Sequence, residues 1–283
     1  MRIAVSGASG KLGAATVAEL ARRGGHEVIG ISRSPEKLTA PIIGRVGDYD
    51  RPETLAAAYA GLDRLLLIPS GEMGPGRRAG QSLAAIDAAV AAGVEHIVLM
   101  SSAGTREVQE PDIYASYWAA EQRLIKTAPR WTILRMNYYA ESFIQEAQMS
   151  LAGGALTGLG ENRVAFVSRD DVAAAAAGIL TTDGHAGAIY NATGLASLTG
   201  AQRAALVAEA SGKPFTFLAL PEPVLRGGLE QAGLPSVVVG AILSIQEKFV
   251  QGGFDIVTGD VERLAGQPPR ALRDLLAGTF RGG

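Results

Sequence analysis

Three glycines spaced three apart, in Val5-Ser6-Gly7-Ala8-Ser9-Gly10-Lys11-Leu12-Gly13, are the first residues whose types and spacing suggest a chemistry. A short apolar run ends in them and an alanine-rich helical pattern follows at once. Strand, glycine turn and helix in that order build a place where backbone N–H groups face a pyrophosphate at a helix N-terminus. The glycines differ in what they provide. Gly7 supplies a positive φ, Gly10 lets backbone approach oxygen, and Gly13 lets helix pack closely on strand. A tight β-to-α turn without any ligand would also use glycine, but the strand–turn–helix setting favours the dinucleotide reading.

Roughly 20 residues after the last motif glycine, where an acid would accept from the ribose 2′-OH of NAD, stands Ser32-Arg33-Ser34. Arg33 can stack on adenine and pair with a 2′-phosphate, both serines can donate to it, and Lys11 and Lys37 add positive charge. The pattern favours NADPH over NADH, against the plainer reading of Arg33 as a solvated strand end. Asp48, in Asp48-Tyr49, either accepts from the adenine amino group or is a turn residue ahead of Asp50. Pro69-Ser70-Gly71-Glu72-Met73-Gly74-Pro75-Gly76-Arg77-Arg78 follows the fourth apolar run on the ligand side of such a sheet. From there Ser70 and Arg77 can reach the diphosphate or the nicotinamide ribose, and so many breakers predict a mobile loop.

The elements that must position these residues are readable from periodicity. Strands are predicted at 2–6, 27–32, 42–46, 64–68, 96–101 and 131–136, alternating with helices at 12–23, 79–92 and 114–127 and one opened by Asp50-Arg51-Pro52-Glu53 as a capping box. Arg64–Ile68 is nearly all Leu and Ile and reads as a buried parallel strand. The alternation predicts an α/β fold, a doubly wound parallel (Rossmann) sheet with right-handed crossovers. Further on, helices are expected near 139–151, 169–180, 202–210, 237–249 and 270–276, with a short strand at 188–191. Asp170 and Asp171 lie at the positive end of the 169–180 helix. The expected division is a dinucleotide-binding domain over 1–150 and a smaller C-terminal α/β lobe over 151–283, with 161–193 returning to the Rossmann sheet.

Composition bounds the rest. The 283 residues are 47% hydrophobic and 19% charged, with a net charge of −2, so nucleic acid is a poor partner. There is no cysteine, and His26, His96 and His185 have no neighbouring ligand at metal-site spacing, so no metal site is expected. No apolar run reaches the length of a membrane span and no signal peptide is read, which predicts a cytoplasmic protein away from membranes. A homodimer is compatible with the sequence.

With these features in place the chain resembles the NmrA-like, atypical short-chain dehydrogenase group. Within it, the type 2 NAD(P)H:quinone oxidoreductases and triphenylmethane reductases are most similar. The resemblance is carried by Val5–Gly13, Ser32–Pro35, Gly47-Asp48-Tyr49, Leu65–Ile68, Ala89–Gly93 with Ile97–Ser101, Ala120-Glu121, Thr132–Arg135 with Tyr139-x-Glu141, and Asp170–Ala173. It implies an NADPH-binding Rossmann domain with a small C-terminal lobe closing over a cleft. By position it assigns Gly7, Ser9, Gly10, Lys11, Leu12, Arg33, Asp48, Ser70 and Ser101 to the dinucleotide. Asn137, Tyr138 and Tyr139 would line the pocket beside the nicotinamide.

The chain departs from the wider superfamily in its acid/base pair. Typical members use Tyr-x-x-x-Lys, the lysine lowering the tyrosine pKa, and many reductases of this group keep a lysine four residues before the position of Glu121. Tyr117 stands there instead, with Ile113 four residues earlier. Ordinary alcohol dehydrogenation is therefore not expected. A quinone asks for less, since its reduced product is aromatic and positioning supplies much of the rate. Tyr117, Asn137, Tyr138 or Tyr139 could donate a hydrogen bond to the developing oxyanion, a role worth about 2.7–4 kcal/mol in good geometry, although aromatic residues near strand ends often simply pack. The expected function is an NADPH-dependent oxidoreductase acting on a quinone or similarly electrophilic aromatic. The alternative is a non-catalytic sensor of NADP(H) that signals to a protein partner.

Overall fold

A computed structural model describes residues 1–72, 74, 76–110 and 112–280. The elements run β1 (Arg2–Ser6), α1 (Lys11–Arg23), β2 (Glu27–Ser32), β3 (Ile43–Val46), α2 (Leu55–Tyr59), β4 (Arg64–Leu67), α3 (Arg77–Ala91), β5 (His96–Ser102), α4 (Ile113–Thr127) and β6 (Trp131–Met136). Then come α5 (Ala140–Ser150), β7 (Ala155–Leu159), β8 (Arg163–Val164), α6 (Arg169–Thr181), β9 (Ala188–Ala192), β10 (Leu198–Thr199) and α7 (Gly200–Ser211). The chain closes with β11 (Thr216–Leu220), α8 (Glu222–Gln231), α9 (Ser236–Val250), α10 (Asp260–Ala265) and α11 (Leu272–Phe280).

The chain forms two compact units. The first comprises Met1–Met136, Arg169–Ala192 and Asp260–Gln267, and the second Asn137–Ser168, Thr193–Gly259 and Pro268–Gly283.

Unit 1 is built on a seven-stranded sheet in the order β3-β2-β1-β4-β5-β6-β9, with every neighbouring pair parallel. This is the doubly wound Rossmann arrangement. Every residue of β4 and β5 is buried, because helices cover both faces and leave no polar side to alternate. On one face Ala4, Ile31, Leu65, Leu67, Ile97 and Leu99 pack with Leu55 and Tyr59 of α2, Ile86 of α3 and Leu124 of α4. The intervening residues Ile3, Val5, Leu66 and Val98 turn to the other face, as strand alternation requires. Strand order reverses between β1 and β4, which opens the crevice where such sheets take ligands.

The predicted Asp50 capping box is not formed. Pro52–Thr54 is a 3-10 turn preceded by Arg51 with no side-chain cap, and only five residues of α2 follow. Asp50 is drawn away by α3: its Oδ1 accepts from Gln81 Nε2 at 2.8 Å and Arg77 Nη2 at 2.9 Å. A capping box does occur at α7, where Thr199 and Gln202 satisfy each other's backbone N–H groups.

Unit 2 is smaller and more irregular. A parallel pair, β7 with β11, and an antiparallel pair, β8 with β10, are flanked by α5, α7, α8, α9 and α11. Leu225, Val239 and Leu243 form a small core between α8 and α9. Among the described residues no helix is long and apolar enough to cross a membrane.

Candidate functional site

The glycine turn behaves as its three glycines require. Gly7 has φ +91°, a conformation costly for any side chain, and its N–H and that of Ala8 both donate to Ile31 O at 3.0 Å. A Cβ on Gly13 would stand 2.1 Å from Gly7 O and 2.8 Å from Ala8 Cα, so only glycine lets α1 sit this close to β1. Gly10 N donates back to Gly7 O, and the first intrahelical bond runs from Ala14 N to Gly10 O. The backbone N–H groups of Lys11, Leu12 and Gly13 therefore have no intrahelical acceptor. No side chain caps the helix and its first turn holds no acidic residue. These donors, with the positive end of the helix dipole, make a place for a phosphate. The donor set and the tight glycine cradle fit a dinucleotide pyrophosphate. Ser9, Gly10 and Lys11 are exposed around it, while Leu12 is buried beneath.

Ser32 and Arg33 end β2 beside this turn. Ser32 is buried, its Oγ accepting from Ser34 N at 3.1 Å, whereas Arg33 is exposed and makes no hydrogen bond to a described residue. Asp48 is a turn residue in the structure. Its Oδ1 accepts from Asp50 N at 3.0 Å and its Oδ2 pairs with Arg51 at 3.3 Å. Tyr49 reaches across to donate to Ile68 O at 3.1 Å.

The loop after β4 is tied into the same corner, although its Met73 and Pro75 lie outside the described residues. Ser70 Oγ donates to Gln81 Oε1, and Gln81 donates in turn to Asp50. Arg77 pairs with Asp50 at 2.9 Å and Glu72 at 3.6 Å. Those hydrogen bonds, first from Gln81 and then from Arg77, hold the Asp50 carboxyl below its ordinary range. Arg77 is thus turned onto two carboxylates, and Gln81 is the organiser that sequence reasoning missed. Its only signal was a polar residue in the first turn of the helix predicted at 79–92.

Two candidates hold other posts than the resemblance implied. Ser101 is 0% exposed, so it presents no surface to a ligand. Its Oγ donates at 2.6 Å to Glu121, itself 1% exposed, which Arg135 grips with two bonds at 2.9 and 2.6 Å. Ser101 supports α4 against β5 and β6 through that carboxylate. Asn137 is 2% exposed and committed: its amide donates to Phe254 O at 3.1 Å and Ile256 O at 3.4 Å, and its Oδ1 accepts from Tyr138 N. It clamps backbone and has no N–H left for an oxyanion.

The tyrosines fall in different units. In unit 1, Tyr117 is partly buried on α4, and the Arg78 guanidinium lies 5.4 Å from its ring centroid. Burial pushes the Tyr117 hydroxyl up, while Arg78 opposes that shift, so the phenol is neutral and a donor. Nothing local in the sequence pairs residues 78 and 117; only the packing of α3 on α4 does. In unit 2, Tyr138 meets Phe249, Phe166 and Phe254 edge-on at 5.0, 6.0 and 6.0 Å, and burial pushes its hydroxyl up to about 12. Tyr139 precedes α5 and bridges to Val167.

Residues 7–183 match the model of a family described as NAD(P)H-binding. The chain belongs to that family. Its curated relatives include Quinone oxidoreductase 2 of Escherichia coli K12, 31% identical across 98% of both chains. Among solved structures, the E. coli quinone oxidoreductase QOR2 complexed with NADPH aligns with a TM-score of 0.91 at 30% identity, covering 98% of this chain and 99% of that one. Citrobacter sp. triphenylmethane reductase complexed with NADP(H) aligns with a TM-score of 0.90 at 27% identity, covering 99% and 100%. These full-length relatives are named as reductases, and a general NAD(P)H oxidoreductase role is the role of this chain.

Proposed function

We propose that this protein is an NADPH-dependent reductase whose electron acceptor is a quinone or a similarly electrophilic conjugated aromatic. The observation that carries the cofactor choice is Arg33, an exposed guanidinium at the end of β2 that makes no hydrogen bond to a described residue, where an acidic residue would repel a 2′-phosphate. The NADP(H) bound by the two solved relatives supports the same choice. The uncapped N–H groups of Lys11, Leu12 and Gly13 hold the pyrophosphate, and Ser9 and Lys11 flank it. Asp48 orders the turn beside the adenine end.

The nicotinamide, when bound, supplies a hydride. Reduction of a quinone to a hydroquinone takes one hydride and one proton: the hydride brings both electrons, and the proton comes from a donor beside the oxygen. Tyr117 is the favoured donor to the developing phenolate, because burial keeps it protonated and Arg78, reaching over from α3, stabilises charge on its ring. Arg78 thereby stands in for the cation that Tyr-x-x-x-Lys would place on the same helix. Tyr138 and Tyr139 are assigned to the acceptor pocket, as the resemblance implies. No Tyr-x-x-x-Lys pair is needed, since a quinone gains aromaticity on reduction and positioning does most of the remainder.

The test is NADPH oxidation, followed by its loss of absorbance, across benzoquinones, naphthoquinones and triarylmethane dyes. Turnover of at least one quinone is expected, with Tyr117→Phe lowering kcat about 10–100-fold if the phenol donates. Tight NADPH binding without turnover on any member of the panel would overturn the reductase reading.

A further inference from the structure

Unit 2 contains a cavity lined by none of the residues that hold the dinucleotide. Its walls are largely phenylalanine, and the polar side chains converging on it are Glu146, Thr157, Arg203 and Gln246. Arg203 is 4% exposed and sits between Phe166 and Phe217, with its guanidinium carbon 5.7 and 5.6 Å from their ring centroids. Its Nη2 donates to Asn162 Oδ1 at 2.7 Å, while Nη1 is buried and has no hydrogen-bond partner among the described residues. Within that set no hydrogen bond or ion pair joins Arg203, Glu146, Gln246 and Thr157 to one another. Buried polar groups almost always find partners. A buried guanidinium N–H without a partner, set among other polar side chains at an aromatic-walled cavity, is the mark of a ligand site.

The charge selects the ligand. Burial pushes the Glu146 carboxyl up to about 7, with Arg203 opposing, so the acid is half neutral in neutral solution. Burial also brings Arg203 down to about 10, which leaves it a cation. Glu146 and Glu161 offset part of that charge, but neither hydrogen-bonds Nη1, and a buried cation without full compensation is costly until an anion meets it. The enclosed space is about 10 Å³, room for about one water or one carboxylate oxygen. A larger body must extend toward Glu146, Thr157 and Phe217, the partly exposed members of the lining. Flat apolar walls suit a ring there.

We propose that this cavity binds the carboxylate of a small aromatic acid, one oxygen entering it to accept from Arg203 Nη1 and the other held by Gln246 and Glu146, with the ring outside the enclosed space against Phe217. The site does not depend on the reductase reading. Ionised Glu146 would instead pair with Arg203 and repel the ligand, so binding weakens as pH rises. The other groups that act on this pair are Tyr138, which burial pushes up to about 12 so that it stays neutral across this range, and Glu161, whose carboxylate acts on Arg203.

The probe is 4-fluorobenzoate with the full chain, followed by fluorine NMR line broadening and titration calorimetry. Binding is expected near pH 6 and falls about tenfold by about pH 8, the loss of the protonated fraction across a pKa of about 7. Glu146→Gln should bind equally at both pH values. Arg203→Met should lose at least about tenfold in affinity, and Gln246→Leu a few-fold, both with unchanged circular dichroism. Should Arg203→Met fail to fold, the flat pH response of Glu146→Gln and the loss in Gln246→Leu decide. Absence of binding to the wild type would mean that Arg203 Nη1 holds only a water, and the proposal fails. It fails equally if Gln246→Leu and Arg203→Met bind as the wild type does. Inhibition of quinone turnover identifies the source: competition with quinone makes the acid part of the substrate, and binding that persists under saturating quinone makes it a separate ligand.

Discussion

The two units differ in what they leave for a ligand. In unit 1 several polar side chains are paired off, although His26 Nδ1, Arg78 Nε and His96 Nδ1 are buried without a hydrogen-bond partner among the described residues. Glu121 is held by Ser101 and Arg135, and Asp50 by Gln81 and Arg77. His96 Nε2 sits 2.8 Å from Thr132 Oγ1, whose own proton goes to His185 O, so His96 is the donor and carries its proton on Nε2. What unit 1 leaves open is backbone, three N–H groups at the start of α1, together with the exposed guanidinium of Arg33. In unit 2 the group left open at a cavity is a side chain, Arg203 Nη1, beside Glu146. A backbone cradle recognises what every dinucleotide shares. A side-chain cavity recognises one shape and charge, so it can vary while the cradle stays.

That contrast can be broken most severely at the cradle. Gly13→Ala places a methyl 2.1 Å from Gly7 O, and the turn must open. NADPH binding, read by cofactor fluorescence, should be lost while the rest of the fold survives. Retention of wild-type affinity would show that α1 does not need this contact. Next comes the paired interior. Glu121→Ala leaves Arg135 without its carboxylate beside a buried hydroxyl, a loss of about 3–5 kcal/mol in urea unfolding. A loss under about 1 kcal/mol would mean that the pair is not structural.

The two units should also respond oppositely to pH. His96, 2% exposed, is brought from the ordinary 6.5 to about 4, chiefly by burial. The native state keeps it neutral, so the unfolded chain binds the proton first. This contribution is complete above about pH 6.5 and is lost between there and about pH 4, at most about 3 kcal/mol. His96→Gln should flatten that slope. Glu146 is shifted upward, so its burial begins to cost stability as pH rises past the ordinary carboxylate value of 4.5 and is fully felt above about 7. Glu146→Gln should raise the midpoint of thermal unfolding near pH 8 and leave it unchanged near pH 4. Slopes of the same sign in both variants would erase the distinction between the units.

The smallest effect is at the edge of the cradle. Arg33→Asp should weaken NADPH about 10–100-fold relative to NADH without altering stability, since a charge pair with phosphate is exchanged for repulsion. An unchanged ratio in parallel titrations would remove Arg33 from the 2′-phosphate.

Much of this was legible in the chain, and the exceptions share a cause. The strands β1, β2, β4, β5 and β6 were readable because a buried parallel strand is a short apolar run whose ends are marked by glycine and polar residues. The short strands β7, β8, β10 and β11 and the helix α8 went unread: two to five residues of mixed polarity carry no period, and Gly and Pro interrupt the rest. Asp50 looked like a cap because the local pattern Asp-x-Pro-Glu suits one, yet Gln81 and Arg77 lie about thirty residues on and took its carboxylate. Asn137 looked like an oxyanion donor from its place after β6. Its amide is claimed by carbonyls 117 and 119 residues away.

By itself, the sequence determined the glycine cradle and the sheet around it. Those depend on backbone geometry, and backbone geometry is set by contiguous residues: a glycine where φ is positive, a glycine where helix meets strand, an apolar run before and an uncapped helix after. Only the tertiary structure decided which side chains remain available. Whether a hydroxyl, amide or guanidinium is free to act depends on partners brought from elsewhere in the chain. That decided against Ser101 and Asn137, set Arg78 over Tyr117, and left Arg203 facing an aromatic cavity with an N–H to offer.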